Sequence, residues 1–365
     1  MRWHWRDAVQ MLNAENEDEG IVALALALKC LPRSNRRHAY HGGIAPKIFS
    51  NEDTPSSGIL VLEKPHSSRE KTDKPFNWMR PTAKQVGDDI CIQCFPGEDH
   101  VEHYAALLAA HLRITQGADR ARDVFYRPVP DGETIRTLRE DTNLLRVPQT
   151  DIVVTGLVHR LGDLTGNARF EGGNEEEFGW VLKQFGDQKV LFLGCRFSFW
   201  GSISGDLVRV LAQHTGARRV LYFGKLGTTQ PHLQPNRWLA SGSTSTILGR
   251  EVKWQNVLEP SLRGPDIPII FGKHETLPSV LFETKNWLSR STSFGHQFVD
   301  PEVGCMALAA VQSGIEFGYI HAISDNVASK YDEDLSNERQ KGVLKGRANL
   351  YAIVNRVLHA HLDSL

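Results

Sequence analysis

The sequence has few of the features that direct a chain to a membrane or to export. Its longest apolar run, IVALALAL at residues 21 to 28, is far shorter than the roughly 20 residues that a membrane helix needs. Acidic residues between positions 15 and 19 precede this run, where a signal peptide would be basic. With 5 cysteines, an odd number in a chain long enough to bury its own core, we expect reduced thiols and a cytoplasmic protein.

The charge balance favours neither sign. The chain carries 42 Lys and Arg residues against 43 Asp and Glu residues. A field of one sign, which would attract nucleic acid or an acidic membrane, is therefore missing. We expect a small-molecule partner, with no role for nucleic acid or membrane.

The N-terminal 150 residues show little regular patterning. Residues 5 to 32 predict two helices, and the polar, Pro- and Ser-rich residues 32 to 88 predict long loops with one strand at 58 to 63. Residues 88 to 95 alternate like a strand, and residues 102 to 114 have apolar positions at helical spacing. Together they predict an N-terminal extension of unknown role that is mostly helical and irregular.

From residue 151 the pattern becomes that of an α/β domain. Strands at 178 to 184 and 189 to 194 flank a turn, a helix at 204 to 215 ends at Gly216, and a buried strand follows at 219 to 223. Asp300 and Pro301 predict a helix start, Gly314 its end, and residues 317 to 323 the next strand. Residues 337 to 362 predict a closing amphipathic helix.

Ligands of open α/β sheets bind at the carboxyl ends of the strands, so three predicted loops are candidate sites. The loop after Gly194 contains Arg196, Phe197, Ser198 and further aromatic side chains on which a planar base could stack. Two more candidates are the segment 224 to 228 (GKLGT) and the segment 324 to 326 (SDN). The former could direct backbone N–H groups and Lys225 at an anion or sugar hydroxyls, and the latter places a carboxylate beyond an apolar strand.

The segment Asp300-Pro301-Glu302-Val303-Gly304, a small-residue helix, and then Ile323-Ser324-Asp325-Asn326 resemble the signature of the purine nucleoside phosphorylase and nucleosidase family. That signature is usually a Glu-Met-Glu helix start followed by a strand that ends in Ser-Asp. Glu302 and Asp325 are 325 minus 302, or 23, positions apart, which fits the family layout. The hairpin before Gly194 and the GKLGT segment resemble earlier strands and the Gly-x-x-Gly turn of the family, so the resemblance covers about 215 residues.

The resemblance implies a role for each matched residue. Glu302 would bind the ribose hydroxyls, because a carboxylate can accept two hydrogen bonds from a diol. Asp325 would face the purine N7 and share or donate a proton as the base leaves. Ser324, Gly224 and Lys225 are further candidate substrate-binding residues.

Two departures from the family leave the co-substrate open. Tyr222 stands where phosphorylases carry a phosphate-binding arginine, and Lys225 where they carry Ser or Thr. Arg160 or Arg196 could compensate, so inorganic phosphate is a possible co-substrate and hydrolysis an equal alternative. No other cofactor is expected. Pro301 replaces the sugar-packing methionine of the family.

Other residues have a functional and a structural interpretation. His159 and Arg160 could enter the site or lie in a surface turn. His274 and Glu283 flank the segment that lies near the base in the family, and Phe282 within it could stack on the base or lie in the core. Cys91-x2-Cys94 and His100-x2-His103 could bind zinc, but their spacing is not that of a common finger, and we expect no metal.

The sequence therefore predicts an α/β three-layer sandwich, with a mixed sheet flanked by helices, over residues 151 to 365, after the extension at 1 to 150. The expected activity is cleavage of the N-glycosidic bond of a purine nucleoside or derivative, by phosphorolysis or hydrolysis. A nucleoside- or nucleotide-binding module without turnover is the alternative. Relatives commonly assemble as homo-oligomers, which we expect here as well.

Overall fold

The computed structural model describes residues 47–48, 59–61, 75–79, 81–86, 89–116, 118–332 and 340–365. The chain divides into two compact units. The first contains Met1–Glu70, Met79–Thr134 and Pro278–Trp287, and the second contains Lys71–Trp78, Ile135–Leu277 and Leu288–Leu365. The helices predicted at residues 5 to 32 lie outside the described residues. The second unit takes residues from both sides of the predicted boundary at 150, and that boundary stays a prediction.

The first unit contains two small sheets and a long helix. Its elements are β1 (Lys47–Ile48), β2 (Ile59–Val61), β3 (Thr82–Val86), β4 (Asp89–Gln93), α1 (Glu98–Gln116) and β5 (Phe125–Tyr126). β4 lies between β2 and β3, and β1 pairs with β5. Val101, Ala105 and Ala109, spaced by four residues, place one face of α1 in a buried cluster. The predicted strands at 58 to 63 and 88 to 95 and the helix at 102 to 114 are confirmed.

The second unit is an α/β fold with a mixed sheet of 11 strands flanked by helices. Its strands are β6 (Ile152–Gly156), β7 (Phe178–Phe185), β8 (Gln188–Cys195), β9 (Arg219–Thr228), β10 (Leu239–Ser241), β11 (Thr244–Ile247), β12 (Arg250–Lys253), β13 (Ile269–Phe271), β14 (Lys273–Thr276), β15 (His296–Asp300) and β16 (Glu316–Asn326). The remaining helices of the described chain are α2 (Glu133–Glu140), α3 (Gly162–Thr165), α4 (Ser202–Thr215), α5 (Glu259–Leu262), α6 (Lys285–Ser293), α7 (Val303–Ser313) and α8 (Lys341–Asp363). The predicted fold class is confirmed.

Local signals place several of these elements correctly. β7 and β8 pair as an antiparallel hairpin around Gly186, whose positive φ of 52° suits a tight turn. Gly216 and Gly314 end α4 and α7 in the left-handed conformation, as their sequence positions predict. The apolar face of α8, with Leu350, Val354 and Leu358, packs in the main core with residues of β6, β8, β9 and β16.

The long strand β9 organises the sheet around the candidate site. β16 runs parallel to it along its whole length. On its other edge, β6 pairs with the first half, Arg219 to Phe223, and β15 pairs antiparallel with Gly227 and Thr228 near its end. Residues 224 to 228 therefore lie beyond the end of β6, where the sheet changes partner.

The structure corrects two predicted loops. GKLGT is the second half of β9 and not a loop, and residues 324 to 326 continue β16. Both glycines of GKLGT leave space for side chains of the neighbouring strand β16. A Cβ at Gly224 would lie 3.0 Å from His321 Nε2, and one at Gly227 would lie 3.1 Å from Asp325 Oδ2. Glycine is selected here for close approach of side chains and not for a turn.

Candidate active site

A β-bulge in β16 orients Asp325. The register between β16 and β9 shifts between Ile323 and Asp325, so that Ser324 is the extra residue. Side chains alternate between the two faces of a strand, and one inserted residue moves those after it to the opposite face. Asp325 therefore pairs with Gly227, on the face of Lys225, instead of sharing the face of His321.

The Asp325 carboxylate is supported by its strand neighbours. The Ser324 hydroxyl lies 2.8 Å from Asp325 Oδ1 and 3.2 Å from the carbonyl oxygen of Leu226. Asn326 anchors the chain beyond, because its Nδ2 donates to the carbonyls of Gln230 and Leu233. Asp325 is partly exposed at the end of an otherwise buried strand, so a ligand can reach its carboxylate.

Glu302 stands between the end of β15 and the first turn of α7. It is the N-cap residue of the helix, but its side chain makes no capping hydrogen bond. The predicted helix start at Asp300 and Pro301 is two residues early, since Asp300 still belongs to β15 and caps the helix from there. Burial raises the pKa of the Glu302 carboxyl well above its ordinary value, and the neighbouring Asp300 carboxylate raises it further, whereas Lys225 lowers it.

Three ionisable side chains lie near the carboxyl end of β9. Lys225 and Glu302 are close enough to interact, and Asp325 contacts Gly227 in the same strand as Lys225. All three side chains are partly exposed. Two carboxyl groups and a lysine ammonium group offer both donors and acceptors to a polar ligand such as a sugar.

The aromatic loop at residues 196 to 201 lies beside this group. The Gly201 N–H donates to the Pro301 carbonyl over 2.8 Å, and the Phe199 ring lies 5.8 Å from that of Tyr222. Phe197 is buried edge-on against Phe178, with their ring centroids 5.6 Å apart. Phe199, which is only half-buried, is therefore better placed than Phe197 to meet a ligand.

The two arginines proposed to bind phosphate have other partners. Arg196 Nη1 donates to the carbonyls of Glu176 and Phe178 over 2.6 Å each, and its guanidinium lies 5.7 Å from the centre of the Phe76 ring. Arg160 is exposed in a short 3-10 helix after β6, with its guanidinium 6.0 Å from the Tyr351 ring centre. Their roles as ligands stay predictions.

Phe282 and the four candidate zinc ligands lie in the first unit. Phe282 is buried in a short 3-10 helix at Val280–Phe282. Cys94 is buried, which raises its thiol pKa to about 12, and His103 Nδ1 lies 2.6 Å from Ser279 Oγ. Nothing is described of the Cys91 side chain, and within the described part of the chain no group of three or more His, Cys, Asp or Glu residues is arranged to hold a metal ion.

Sequence reasoning missed a buried charged cluster beneath Glu302. Asp300 Oδ1 lies 3.1 Å from His274 Nε2, and Asp300 Oδ2 lies 3.5 Å from His321 Nε2. All three side chains are at most 3 % exposed. Single histidines on apolar strands gave no sequence signal for this cluster, because its members are separated by up to 47 positions, 321 minus 274.

No protein-family model matches the chain. A curated relative, named Oxidoreductase cns1, from Cordyceps militaris is 25 % identical over 257 residues, which cover 65 % of this chain and 32 % of that protein. The chain thus spans about a third of the length of this relative.

Solved structures of three bacterial enzymes match about 60 % of the chain. The 5′-methylthioadenosine/S-adenosylhomocysteine nucleosidase of Campylobacter jejuni is 14 % identical over 59 % of this chain and 100 % of its own, with a TM-score of 0.48. S-adenosylhomocysteine nucleosidase of Streptococcus pyogenes is 16 % identical over 60 % of this chain and 98 % of its own, with a TM-score of 0.46. A mutant of futalosine hydrolase from Helicobacter pylori is 14 % identical over 60 % of this chain and 100 % of its own, also with a TM-score of 0.46.

In the described part of the chain, no helix is long and apolar enough to cross a membrane.

Proposed function

We propose that this protein cleaves the N-glycosidic bond of a purine nucleoside or a derivative. The observation that carries the proposal is the bulge at Ser324, which places the Asp325 carboxylate beside Gly227 at the same strand end as Lys225 and Glu302. An N-glycosidase needs two groups here, one for the sugar and one for the leaving base.

Glu302 is the proposed sugar ligand. Its carboxyl oxygens can accept hydrogen bonds from the ribose hydroxyls, and in the protonated form it can also donate one. The positive charge of Lys225 nearby would keep this carboxyl oriented toward the partly exposed side of the site. Hydrogen bonds of this kind hold the ribose while positive charge develops at C1′.

Asp325 is the proposed leaving-group residue. The bond between C1′ and the purine nitrogen breaks with both electrons passing to the base, and a proton shared with or donated by Asp325 at N7 neutralises the leaving purine. Water or phosphate then adds to C1′, giving a free sugar or a sugar 1-phosphate. The Phe199 ring, at the edge of the site, is a candidate stacking surface for the base.

We favour water as the attacking group. Tyr222 is buried at the position where the family resemblance would place a phosphate-binding arginine. Arg196 is directed at backbone carbonyls. The charge of Lys225 lowers the pKa of Glu302, so an atypical phosphate site would depend on this residue.

The decisive experiment incubates the full chain with adenosine, inosine, guanosine and thioether nucleosides, with and without phosphate, and separates bases and sugars by chromatography. Release of free base without phosphate is expected. A strong dependence on phosphate that Lys225→Ala leaves unchanged would contradict our placement of the anion. Binding without release of base would instead identify a nucleoside-binding module, and failure to bind any nucleoside would exclude both.

A further inference from the structure

The start of α7 is held by buried side chains at each of its first three N–H groups. The N–H groups of Glu302 and Val303 donate to Asp300 Oδ1 over 2.9 Å each, and that of Gly304 donates to Thr276 Oγ1 over 2.7 Å. The first N–H groups of a helix have no partner within the helix and often bind water or a ligand. Here they are used to fix the backbone that carries Glu302.

Asp300, which accepts two of these hydrogen bonds, lies beside two histidines from neighbouring strands. His274 in β14 and His321 in β16 place their Nε2 atoms 3.1 Å from Asp300 Oδ1 and 3.5 Å from Asp300 Oδ2. Burial by itself raises the pKa of Asp300, but the two histidines and the Val303 N–H outweigh it and keep the pKa below its usual value. Asp300 Oδ1 accepts the two helix N–H groups, whereas Asp300 Oδ2 and the Nε2 atoms of both histidines lie close together without the geometry of a hydrogen bond. A buried carboxylate is tolerated only with polar groups this close to it.

The tautomer of His321 follows from its second nitrogen. The Gly224 N–H donates to His321 Nδ1 over 3.2 Å, so the ring proton must lie on Nε2, which faces Asp300. Burial lowers the pKa of His321 to about 4, so the ring is neutral near pH 7. The rings of Tyr222 and Tyr319, with centroids 4.5 Å and 5.1 Å from that of His321, enclose it edge-on.

His274, on the other side of Asp300, belongs to the same hydrogen-bond network. His274 Nδ1 lies 3.0 Å from Ser245 Oγ, and Ser245 Oγ lies 3.2 Å from Thr276 Oγ1, the acceptor for Gly304. The ionisable groups that surround Asp300 are therefore His274 from β14, His321 and Tyr319 from β16, Tyr222 from β9, and Glu302. Buried polar clusters of this kind add little net stability compared with apolar packing, so the placement of this one next to Glu302 calls for another reason.

We infer that Asp300, held between His274 and His321, is the positioning residue that orients Glu302 toward the ribose hydroxyls. This inference rests on the proposed function. Asp300 touches no substrate, and it acts by fixing the N–H groups of Glu302 and Val303 and by placing a negative charge behind the Glu302 carboxyl. Recognition of the sugar, and not of the base, should therefore depend on this cluster.

Two substitutions of His321 separate its hydrogen bond with the Gly224 N–H from its 3.5 Å contact with Asp300 Oδ2. In His321→Gln, the amide nitrogen lies where Nε2 was and keeps an N–H group next to Asp300. In His321→Asn, the shorter side chain retains an acceptor for Gly224 but leaves Asp300 without this donor. His361→Asn is the matched control, because His361 is another buried histidine with a pKa lowered to about 4, and it lies on α8.

The measurement is the affinity of each full-length protein for adenosine and for 2′-deoxyadenosine by titration calorimetry. In wild type, His321→Gln and His361→Asn, adenosine should bind more tightly than the deoxy analogue. In His321→Asn and Asp300→Asn, adenosine affinity should fall roughly 10- to 100-fold, the loss expected when a hydrogen bond to a charged group is not made. Affinity for 2′-deoxyadenosine, which keeps only the 3′ hydroxyl, should fall less, so that the preference for adenosine is lost.

The outcomes distinguish this inference from the proposed function. If wild type prefers adenosine and His321→Asn retains the same preference while folded, the positioning role is wrong and the proposed function stands. If wild type binds neither nucleoside, the proposed function is wrong and the role of Glu302 falls with it. Nitrogen NMR of the His321 ring tests the network without any ligand, because a proton on Nδ1 instead of Nε2 near pH 7 would overturn it.

Discussion

At the level of single residues, Asp325 and Glu316 are two carboxylates on the same strand in different surroundings. Glu316 is exposed at the amino end of β16, where it pairs with Arg219, whereas Asp325 lies at the carboxyl end beside Gly227. Asp325→Asn preserves shape and removes the group that could carry a proton. We expect kcat to fall roughly 10² to 10⁴-fold with little change in substrate affinity.

Glu316→Gln is the control for this substitution and should keep full activity. The rates of both variants are measured on the best purine substrate near neutral pH, after circular dichroism shows that they are folded. Full activity of Asp325→Asn would remove this residue from the mechanism and with it the case for a purine leaving group.

Glu302→Gln should have a different kinetic effect. Hydrogen bonds to the ribose exist before and during bond cleavage, so their loss weakens binding as well as turnover. We expect KM to rise roughly 10-fold or more, together with a lower kcat. Steady-state kinetics on adenosine and 2′-deoxyadenosine would test this, and an unchanged KM for adenosine would contradict the sugar-binding role.

His321 should make the protein sensitive to acid. Its pKa is lowered from 6.5 to about 4 by burial, so the unfolded chain takes up a proton at a higher pH than the folded chain does. Between these two values the unfolded state binds more protons, and stability therefore falls as the pH falls. Between pH 7 and pH 5 the loss in the free energy of unfolding is roughly 2 kcal/mol.

His321→Gln isolates this contribution, because glutamine does not titrate. Urea unfolding at pH 7 and pH 5 should show that the variant loses roughly 2 kcal/mol less on acidification than wild type. His361 titrates in both proteins and cancels from the comparison. An equal loss in both proteins would show that His321 is not buried as a neutral ring.

These residues differ in how visible they are in the sequence. Glu302 and Asp325 were found because a family pattern contains them, although their assigned roles remain predictions. No feature of the sequence predicted that His274 and His321 lie together beside Asp300. Each is an isolated polar residue on an apolar strand, and its partner is supplied by a different strand.

At the level of elements, the close approach of β9 and β16 predicts the effect of adding a methyl group. A Cβ at Gly227 would lie 3.1 Å from Asp325 Oδ2 and 3.2 Å from Val299 Cγ1. Gly227→Ala should therefore displace the Asp325 carboxylate. We expect kcat to fall roughly 10- to 100-fold with a small change in melting temperature, because misplacement of a reacting group by a fraction of an ångström is costly.

Gly318→Ala provides the comparison within the same strand pair. Its Cβ would lie 3.0 Å from side-chain atoms of Asn256, Val257 and Leu258, in the interior and not at the site. Overpacking there should lower the free energy of unfolding by roughly 1 to 3 kcal/mol and leave kcat unchanged. Equal effects of the two alanine substitutions on kcat would contradict the prediction that Gly227→Ala acts by displacing the Asp325 carboxylate.

Most elements were predictable because their signals are local. The β7 and β8 hairpin, the glycines that end α4 and α7, and the amphipathic α8 each follow from a few adjacent residues. GKLGT was misjudged for the same reason. Glycines in a short window indicate a turn, whereas here they allow His321 and Asp325 of another strand to approach.

At the level of the whole molecule, the second unit includes a segment far from it in sequence. Phe76 is 2 % exposed and belongs to the main core of this unit, and the N–H groups of Asn77 and Trp78 donate to the carbonyls of Cys195 and Arg196. Residues 32 to 88 were predicted to be long loops, and that interpretation misses the burial of Phe76 and Trp78. Isolated aromatic residues in a polar segment show no periodicity.

Phe76→Ala should accordingly destabilise the second unit. Loss of a buried phenylalanine costs roughly 3 to 5 kcal/mol in the free energy of unfolding. Phe294→Ala is the matched control, since this ring is 65 % exposed and its loss should cost at most about 0.5 kcal/mol. Urea unfolding of the full chain, followed by tryptophan fluorescence, measures both, and similar stabilities would contradict the placement of Phe76.

The sequence by itself determined the α/β class, most strands and helices of the second unit, and the pair Glu302 and Asp325 as the residues to examine. Periodicity, caps and turn residues act over a few positions and can be read in one dimension. Only the tertiary structure decided that GKLGT is a strand, that an extra residue turns Asp325 toward Gly227, and that two distant histidines hold Asp300 under Glu302. These features depend on which strands are neighbours and in what register, and register is set by packing of the whole sheet.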